Sequence, residues 1–155
     1  MRIRAPLLGL SILAANMTSQ VAPERAVFGH WRVTGWSCPA QGCALARAQA
    51  AAFRGRPAFY SDSLVRISGT VCREPRYKIG YWPASGFYGG SRLKNFGIRA
   101  DSALVVEVGC AAKPDSRSDP RWQVWGAFLI VKDAEHVLVV WEGVFFELTL
   151  AHGAA

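Results

Sequence analysis

The residues in this chain with the clearest chemical potential are four cysteines: Cys38, Cys43, Cys72 and Cys110. Thiols can form disulfides, hold zinc or act as nucleophiles. No pair has the Cys-x-x-Cys spacing, and the chain offers only three histidines as further ligands, which argues against a metal site. An even number of cysteines favours disulfides in an exported protein. Spacing alone leaves three pairings open; we expect Cys38–Cys43 across a short turn and Cys72–Cys110 between the ends of two strands.

Motifs of the common catalytic sites are absent from the sequence: it contains no GxSxG, P-loop or HExxH, and no GxGxxG after a strand. Glu142 and Glu147 could form a carboxylate pair of the glycosidase type. However, Glu142 falls in a predicted turn, where a solvated carboxylate is ordinary. Glu107 and Glu147 alternate with apolar neighbours, which predicts that they point outward. The sequence therefore indicates a protein that is not an enzyme and uses no cofactor.

A glycine-rich loop at residues 85 to 90 is the best candidate for a binding surface. Aromatic side chains in such a loop are difficult to explain as core, and two nearby basic residues could supply charge. The preceding strand places two tyrosines on one face, where they could line an interior. The predicted binding residues are Trp82, Phe87, Tyr88, Arg92, Lys94, Tyr77 and Tyr81. For the tryptophans as a class, core packing is the stronger interpretation.

Positive charge is concentrated in one half of the chain. Residues 23 to 99 carry twelve Lys or Arg and three Asp or Glu (12 − 3, net +9), whereas residues 100 to 155 carry four and eight (4 − 8, net −4). If the basic side chains share a face, they would attract an anionic partner such as lipid headgroups or envelope polysaccharide phosphates; nucleic acid is not expected. If they are scattered, they are simply solvated. The sequence leaves both interpretations open.

The N-terminal segment is typical of a secretory signal. Arg2 and Arg4 precede an apolar run from Ala5 to Ala15 that is too short to cross a bilayer. We therefore expect residues 1–22 to be a signal peptide and residues 23–155 a single β domain, periplasmic or secreted and not membrane-spanning. The alternative is that this segment forms a helix or strand of the core.

Short alternating segments indicate a β fold. A first strand over residues 27 to 36 directs Trp31 inward and His30 outward. Helix-forming residues at 43 to 53 lack Gly, Pro and β-branched side chains, which predicts a helix. Further strands are predicted at 57–62, 64–68, 77–81, 103–108, 122–131, 137–141 and 144–150, with a short helix at 91–97. The pattern predicts a mainly β fold, a small antiparallel up-and-down barrel or lipocalin-like meander of about eight strands with one or two short helices.

Two sets of residues carry resemblances. Gly29-x-Trp31 on the first strand, followed by the meander, resembles the opening of lipocalin-like barrels, in which that tryptophan plugs one end. A longer pattern is similar to small exported bacterial proteins of unknown function: Ile67-Ser68-Gly69-x-x-Cys72, Tyr77, Val106-x-Val108-x-Cys110 and Trp141-x-Gly143-Val144-Phe145-Phe146-x-Leu148. The second resemblance implies export and the fold, and no activity.

We therefore expect an exported, non-enzymatic β-barrel binding protein that engages a small apolar or anionic ligand in the barrel mouth, or a cell-envelope component. The alternative is a periplasmic protein-interaction module, such as an inhibitor of a cell-wall hydrolase or a toxin-neutralising protein. The oligomeric state is not predicted by the sequence.

Overall fold

The computed structural model of the protein describes residues 22–38, 43–83, 93–110 and 124–152. Within these ranges the fold is mainly β, as predicted, with nine antiparallel strands, one short α-helix and two 3-10 turns. The turns are η1 (Pro23–Val27) and η2 (Leu93–Phe96), and the helix is α1 (Arg47–Ala51). The strands are β1 (Gly29–Ser37), β2 (Pro57–Tyr60), β3 (Leu64–Ile67), β4 (Thr70–Arg73), β5 (Pro75–Pro83), β6 (Ser102–Cys110), β7 (Phe128–Val131), β8 (His136–Trp141) and β9 (Val144–Leu150).

All nine strands belong to one sheet, in the order β4-β3-β2-β1-β9-β8-β7-β6-β5. The sheet curls into a half-barrel. Its two terminal strands, β4 and β5, are consecutive in the chain and are separated only by Glu74, which has a φ of 56°. The disulfide between Cys72 and Cys110 joins β4 to β6 near this point. The curl therefore brings the two ends of the sheet together.

The concave side of the sheet forms the main hydrophobic core. Alternate residues along each strand point inward, as the predicted alternation requires. One end of this core is closed by η1, which contacts β5 and β7. There the indole Nε1 of Trp31 donates a hydrogen bond of 2.8 Å to the carbonyl of Val27. The core includes Trp31, Val33, Tyr60, Val65, Ile67, Val106, Leu129, Val139, Phe146 and Leu148.

The other end of the core is covered by the segment from Cys43 to Arg56, which contains α1. The predicted helix over residues 43 to 53 is wrong in length, because only Arg47–Ala51 is helical. Ala50 is the only residue of α1 that is buried, so the segment lacks the apolar stripe that stabilises a longer helix through tertiary packing. Instead, Phe53 turns inward and packs on Phe146, with ring centroids 4.7 Å apart.

A second core covers part of the convex side. The segment containing η2 packs over β6 to β9, so consecutive residues of these strands are buried on both faces. Val105 belongs to the convex core and Val106 to the concave core. By contrast, the outward side chains of β1, β3 and β4 include the exposed residues Arg32, Arg66 and Arg73. The sheet thus has a covered half, β6–β9, and an open half, β1–β4.

The strand predicted over residues 122–131 is shorter than expected. β7 begins at Phe128, because Trp125 and Gly126 form a turn in which Gly126 has a φ of 89°. Trp122, Ser91 and the predicted signal peptide apart from Ala22 lie outside the described residues. Both expected disulfides, Cys38–Cys43 and Cys72–Cys110, are confirmed.

None of the helices in the described residues is long and apolar enough to cross a membrane.

Candidate functional site

The structure distributes the predicted binding residues over two sides of the sheet. Tyr77 lies on the concave side, and its hydroxyl donates a 2.6 Å hydrogen bond to the carbonyl of Ser61. Tyr81, on the same strand, is 66% exposed. Trp82 packs in the convex core with its ring centroid 5.1 Å from that of Phe128. Lys94 is exposed in η2. Tyr77 and Trp82 are therefore not brought together.

The remaining predicted binding residues, Phe87, Tyr88 and Arg92, lie outside the described residues. The binding role of the whole set stays a prediction.

The centre of the concave core is filled by side chains. A side chain next to a water-sized void would retain accessible surface, yet Tyr60, Val65, Leu129 and Phe146 each have a relative exposure of 0%. Tyr60 is fixed there by a 2.7 Å hydrogen bond from its hydroxyl to the carbonyl of Gly126. Burial raises the pKa of this phenol, and the neighbouring Tyr77 raises it further. A ligand therefore has no ready-made space beside these residues.

Trp125 carries a buried polar atom without a partner in the described part of the chain, its indole Nε1. The ring is held by packing, with its centroid 5.4 Å from that of Phe53 and 6.0 Å from that of Phe146. A buried donor without an acceptor costs about 1–3 kcal/mol. A single donor specifies no ligand chemistry, so this position does not define the site.

The sheet order converts the charge asymmetry of the sequence into a spatial asymmetry. β1 to β4 come from the basic half of the chain and lie side by side, whereas β6 to β9 come from the acidic half and also lie side by side. No arginine of the described ranges forms an ion pair. These residues are Arg25, Arg32, Arg47, Arg54, Arg56, Arg66, Arg73, Arg76 and Arg99.

The ion pairs formed by carboxylates in the described residues involve lysine or histidine. Glu107 pairs with Lys78 at 3.2 Å, and Glu147 pairs with Lys132 at 3.0 Å. Both glutamates point outward, as predicted. The other two pairs are Asp133 with His136 at 2.8 Å and Glu135 with His152 at 3.1 Å. The arginines are thus left without neutralising partners among the described carboxylates.

The convex surface of β1 to β4, which we call the open face, combines three of these arginines, Arg32, Arg66 and Arg73, with apolar groups. The strand registers place His30, Phe59, Arg66 and Val71 in one row across the four strands. The rings of His30 and Phe59 lie 4.4 Å apart, and Val71 is 48% exposed. Arg73 lies diagonally from Arg66 on the neighbouring strand, a position within reach of a long side chain.

Sequence reasoning counted these arginines as charge but did not assign them to a site. A local signal existed, because Arg32 lies between the inward residues Trp31 and Val33, which predicts an outward arginine. Their grouping also depends on β4, and no strand was predicted over Thr70–Arg73, so Arg73 was not placed near Arg66. No group of three or more potential metal ligands occurs in the described ranges.

Comparison of the chain with protein-family models finds no match, and comparisons with curated proteins and with solved structures find none either. The resemblances to lipocalin-like barrels and to small exported proteins are therefore supported only as far as the curled antiparallel sheet.

Proposed function

We propose that this protein is an exported, non-enzymatic binding protein that engages phosphate groups of a cell-envelope component through the open face. The observation that carries this proposal is the set of exposed arginines on β1, β3 and β4 that form no ion pair with any described carboxylate. Since the centre of the concave core is filled, the exterior is the better place for a partner.

Arginine suits this role because its planar guanidinium can donate two parallel hydrogen bonds to a phosphate. A surface that carries several unpaired arginines also attracts polyanions from a distance. The half-buried ring of Phe59 and the exposed Val71 add apolar area on either side of Arg66. Such a mixture fits a headgroup layer or a phosphate-bearing polymer.

Two observations support export. Both pairs of cysteines are bridged, and disulfides persist mainly in oxidising compartments. The basic and apolar start of the sequence adds to this argument.

Binding of the oxidised chain to vesicles tests the proposal. We expect the protein to float with vesicles that contain phosphatidylglycerol and phosphatidylcholine, and not with pure phosphatidylcholine vesicles. Soluble polyphosphate, in a separate arm, distinguishes a polymer from a lipid headgroup as the source of phosphate. The double variant Arg66→Glu and Arg73→Glu should reduce binding to the preferred source at least tenfold.

The double variant Arg25→Glu and Arg99→Glu is the matched control, because it changes the net charge equally at exposed positions outside the open face. It should bind nearly as well as the wild-type protein. If both double variants lose binding equally, the binding depends on net charge alone and the proposed surface is wrong. Absence of binding to both probes would overturn the proposed function.

A further inference from the structure

Arg32 and Arg54 each donate a hydrogen bond to the backbone of the segment that carries the other. Arg32 Nη1 donates to the carbonyl of Gly55 at 3.0 Å. Arg54 Nη2 donates to the carbonyl of Thr34 at 3.1 Å. The two segments lie side by side, because Gly55 N donates to the carbonyl of Val33 at 2.9 Å. The two guanidinium groups are therefore anchored on adjacent segments of backbone.

The turn at Gly55 makes this arrangement possible. Gly55 has a φ of 82°, a left-handed conformation that other residues adopt only with strain. It redirects the chain after Arg54 so that the segment runs back along β1. Arg56, the next basic residue, is fixed in another way, with its guanidinium carbon 3.9 Å above the centroid of the Phe53 ring.

The carboxylate on the neighbouring strand is already engaged. The register places Glu147 of β9 opposite Gly35 of β1, and Glu147 pairs with Lys132. On the same side, the hydroxyl oxygens of Thr34 and Thr149 lie 3.0 Å apart. Neither Arg32 nor Arg54 forms an ion pair within the described ranges.

The donors left on the two side chains define the chemistry of the site. A guanidinium has five N–H donors in a fixed fork, and Arg32 and Arg54 each use one of them in a hydrogen bond to backbone. Both side chains are exposed. Two pre-oriented forks without a carboxylate match the oxygens of a phosphate, which accepts bidentate hydrogen bonds from arginine.

We propose that Arg32 and Arg54 form a phosphate-binding site at the border between β1 and the Gly55 turn. This proposal rests on the proposed function, since it names the position on the basic half of the sheet where a phosphate group is held. The site takes a phosphate mono- or diester, whether it belongs to a lipid headgroup or to a soluble molecule.

Side-chain NMR of the ¹⁵N-labelled oxidised chain tests the site. Titration with inorganic phosphate should shift the Nε–Hε signals of Arg32 and Arg54, whereas acetate at equal ionic strength should shift them far less. Glycerol phosphate and phosphatidylglycerol vesicles, in separate arms, distinguish a soluble source from a lipid headgroup. Arg32→Gln or Arg54→Gln should weaken phosphate binding roughly tenfold or more, the loss of one charge-assisted hydrogen bond.

Matched variants separate binding from folding. Arg47→Gln removes an exposed arginine of α1 that forms no hydrogen bond through its side chain with the described residues, and it should leave phosphate binding unchanged. Arg32→Lys and Arg54→Lys keep the charge but lose the fork, so they should bind phosphate at an intermediate strength. Thermal unfolding of each variant shows whether the fold is retained.

The outcomes also separate this site from the wider proposal. If Arg32→Gln and Arg54→Gln bind phosphate as well as wild type while the Arg66 and Arg73 variant loses vesicle or polyphosphate binding, the site is wrong and the proposed function stands. If the wild-type protein binds none of the phosphate probes, both are wrong. If Arg47→Gln weakens phosphate binding as much as Arg32→Gln and Arg54→Gln do, the proposed site is also wrong.

Discussion

Cys72 in β4 and Cys110 at the end of β6 are joined by a disulfide, with their Cα atoms 5.6 Å apart, although these strands lie near opposite ends of the sheet order. The bond therefore fixes the curl of the sheet. The chain supports the same closure through Glu74, which links β4 to β5 directly. A flat or more open sheet would separate these residues and expose the concave core.

The two disulfides should differ in their contribution to stability. The Cys72–Cys110 bond spans 38 residues and the Cys38–Cys43 bond spans 5. The chain-entropy relation gives about 4 kcal/mol for the longer loop and about 2 kcal/mol for the shorter one. We expect Cys72→Ala with Cys110→Ala to lower the free energy of unfolding by about twice as much as Cys38→Ala with Cys43→Ala. Urea unfolding measures both, and an equal or inverted order would contradict a closing role for Cys72–Cys110.

Two glycines provide a matched test of packing at the turn before β7. Both have left-handed φ angles, 89° at Gly126 and 85° at Gly69. A Cβ at Gly126 would lie 2.9 Å from the hydroxyl of Tyr60 and 3.0 Å from Ile67, whereas a Cβ at Gly69 would meet nothing within 4 Å.

We therefore expect Gly69→Ala to cost about 1 kcal/mol from backbone strain alone, and Gly126→Ala to cost about 2–4 kcal/mol because overpacking is added. Equal values in thermal or urea unfolding would show that the turn is not packed against the core.

The buried tyrosines should make the fold sensitive to alkaline pH. Burial raises the pKa of Tyr60 and, less completely, of Tyr77, above the ordinary value of 10.0. Above about pH 10 the unfolded chain therefore binds fewer protons than the folded chain, so stability falls as pH rises. This contribution is fully present below pH 10.

Tyr60→Phe should reduce the alkaline slope of the free energy of unfolding, and a second change, Tyr77→Phe, should reduce it further. At neutral pH, Tyr60→Phe should cost about 1–2 kcal/mol, because the carbonyl of Gly126 loses its hydrogen-bond donor. Urea unfolding at pH 8 and at pH 11 measures both effects. An unchanged slope in the double variant would contradict the assignment of the alkaline transition to these phenols.

Salt should weaken the proposed interaction. The arginines of the open face are exposed, and charges at a surface are screened over about 10 Å at 0.1 M salt and about 3 Å at 1 M. We expect binding to the preferred phosphate-bearing probe to fall at least tenfold between 50 mM and 500 mM NaCl. Binding that is insensitive to salt would indicate an apolar contact instead, for example through Val71.

Local alternation was sufficient to locate most strands. Tyr77 and Ile79 alternate with Lys78, and the structure places the first two toward the concave core and exposes the third. Tyr81 continues this alternation but is exposed, because it lies two residues from the end of β5 at Pro83, where less of the core covers it. Periodicity identifies a face and does not show where the core ends.

The helix predicted over residues 43 to 53 and the open face, which was not predicted, show two further limits of local sequence patterns. Residues 43 to 53 have high helix propensity, yet a helix of that length needs an apolar stripe, and α1 buries Ala50 alone. The open face also depends on β4, which places Arg73 near Arg66 and was not predicted as a strand. Only Cys72 of its four residues is buried, so the segment has no alternating apolar pattern.

Backbone NMR of the oxidised chain, titrated with polyphosphate or with phosphatidylglycerol nanodiscs, shows where phosphate groups bind. We expect shifts in β1, β3 and β4 around Arg32, Arg66 and Arg73, with the core around Tyr60 and Phe146 unchanged. Shifts concentrated at core residues, with the open face unchanged, would contradict binding at the open face and indicate a ligand inside the curled sheet.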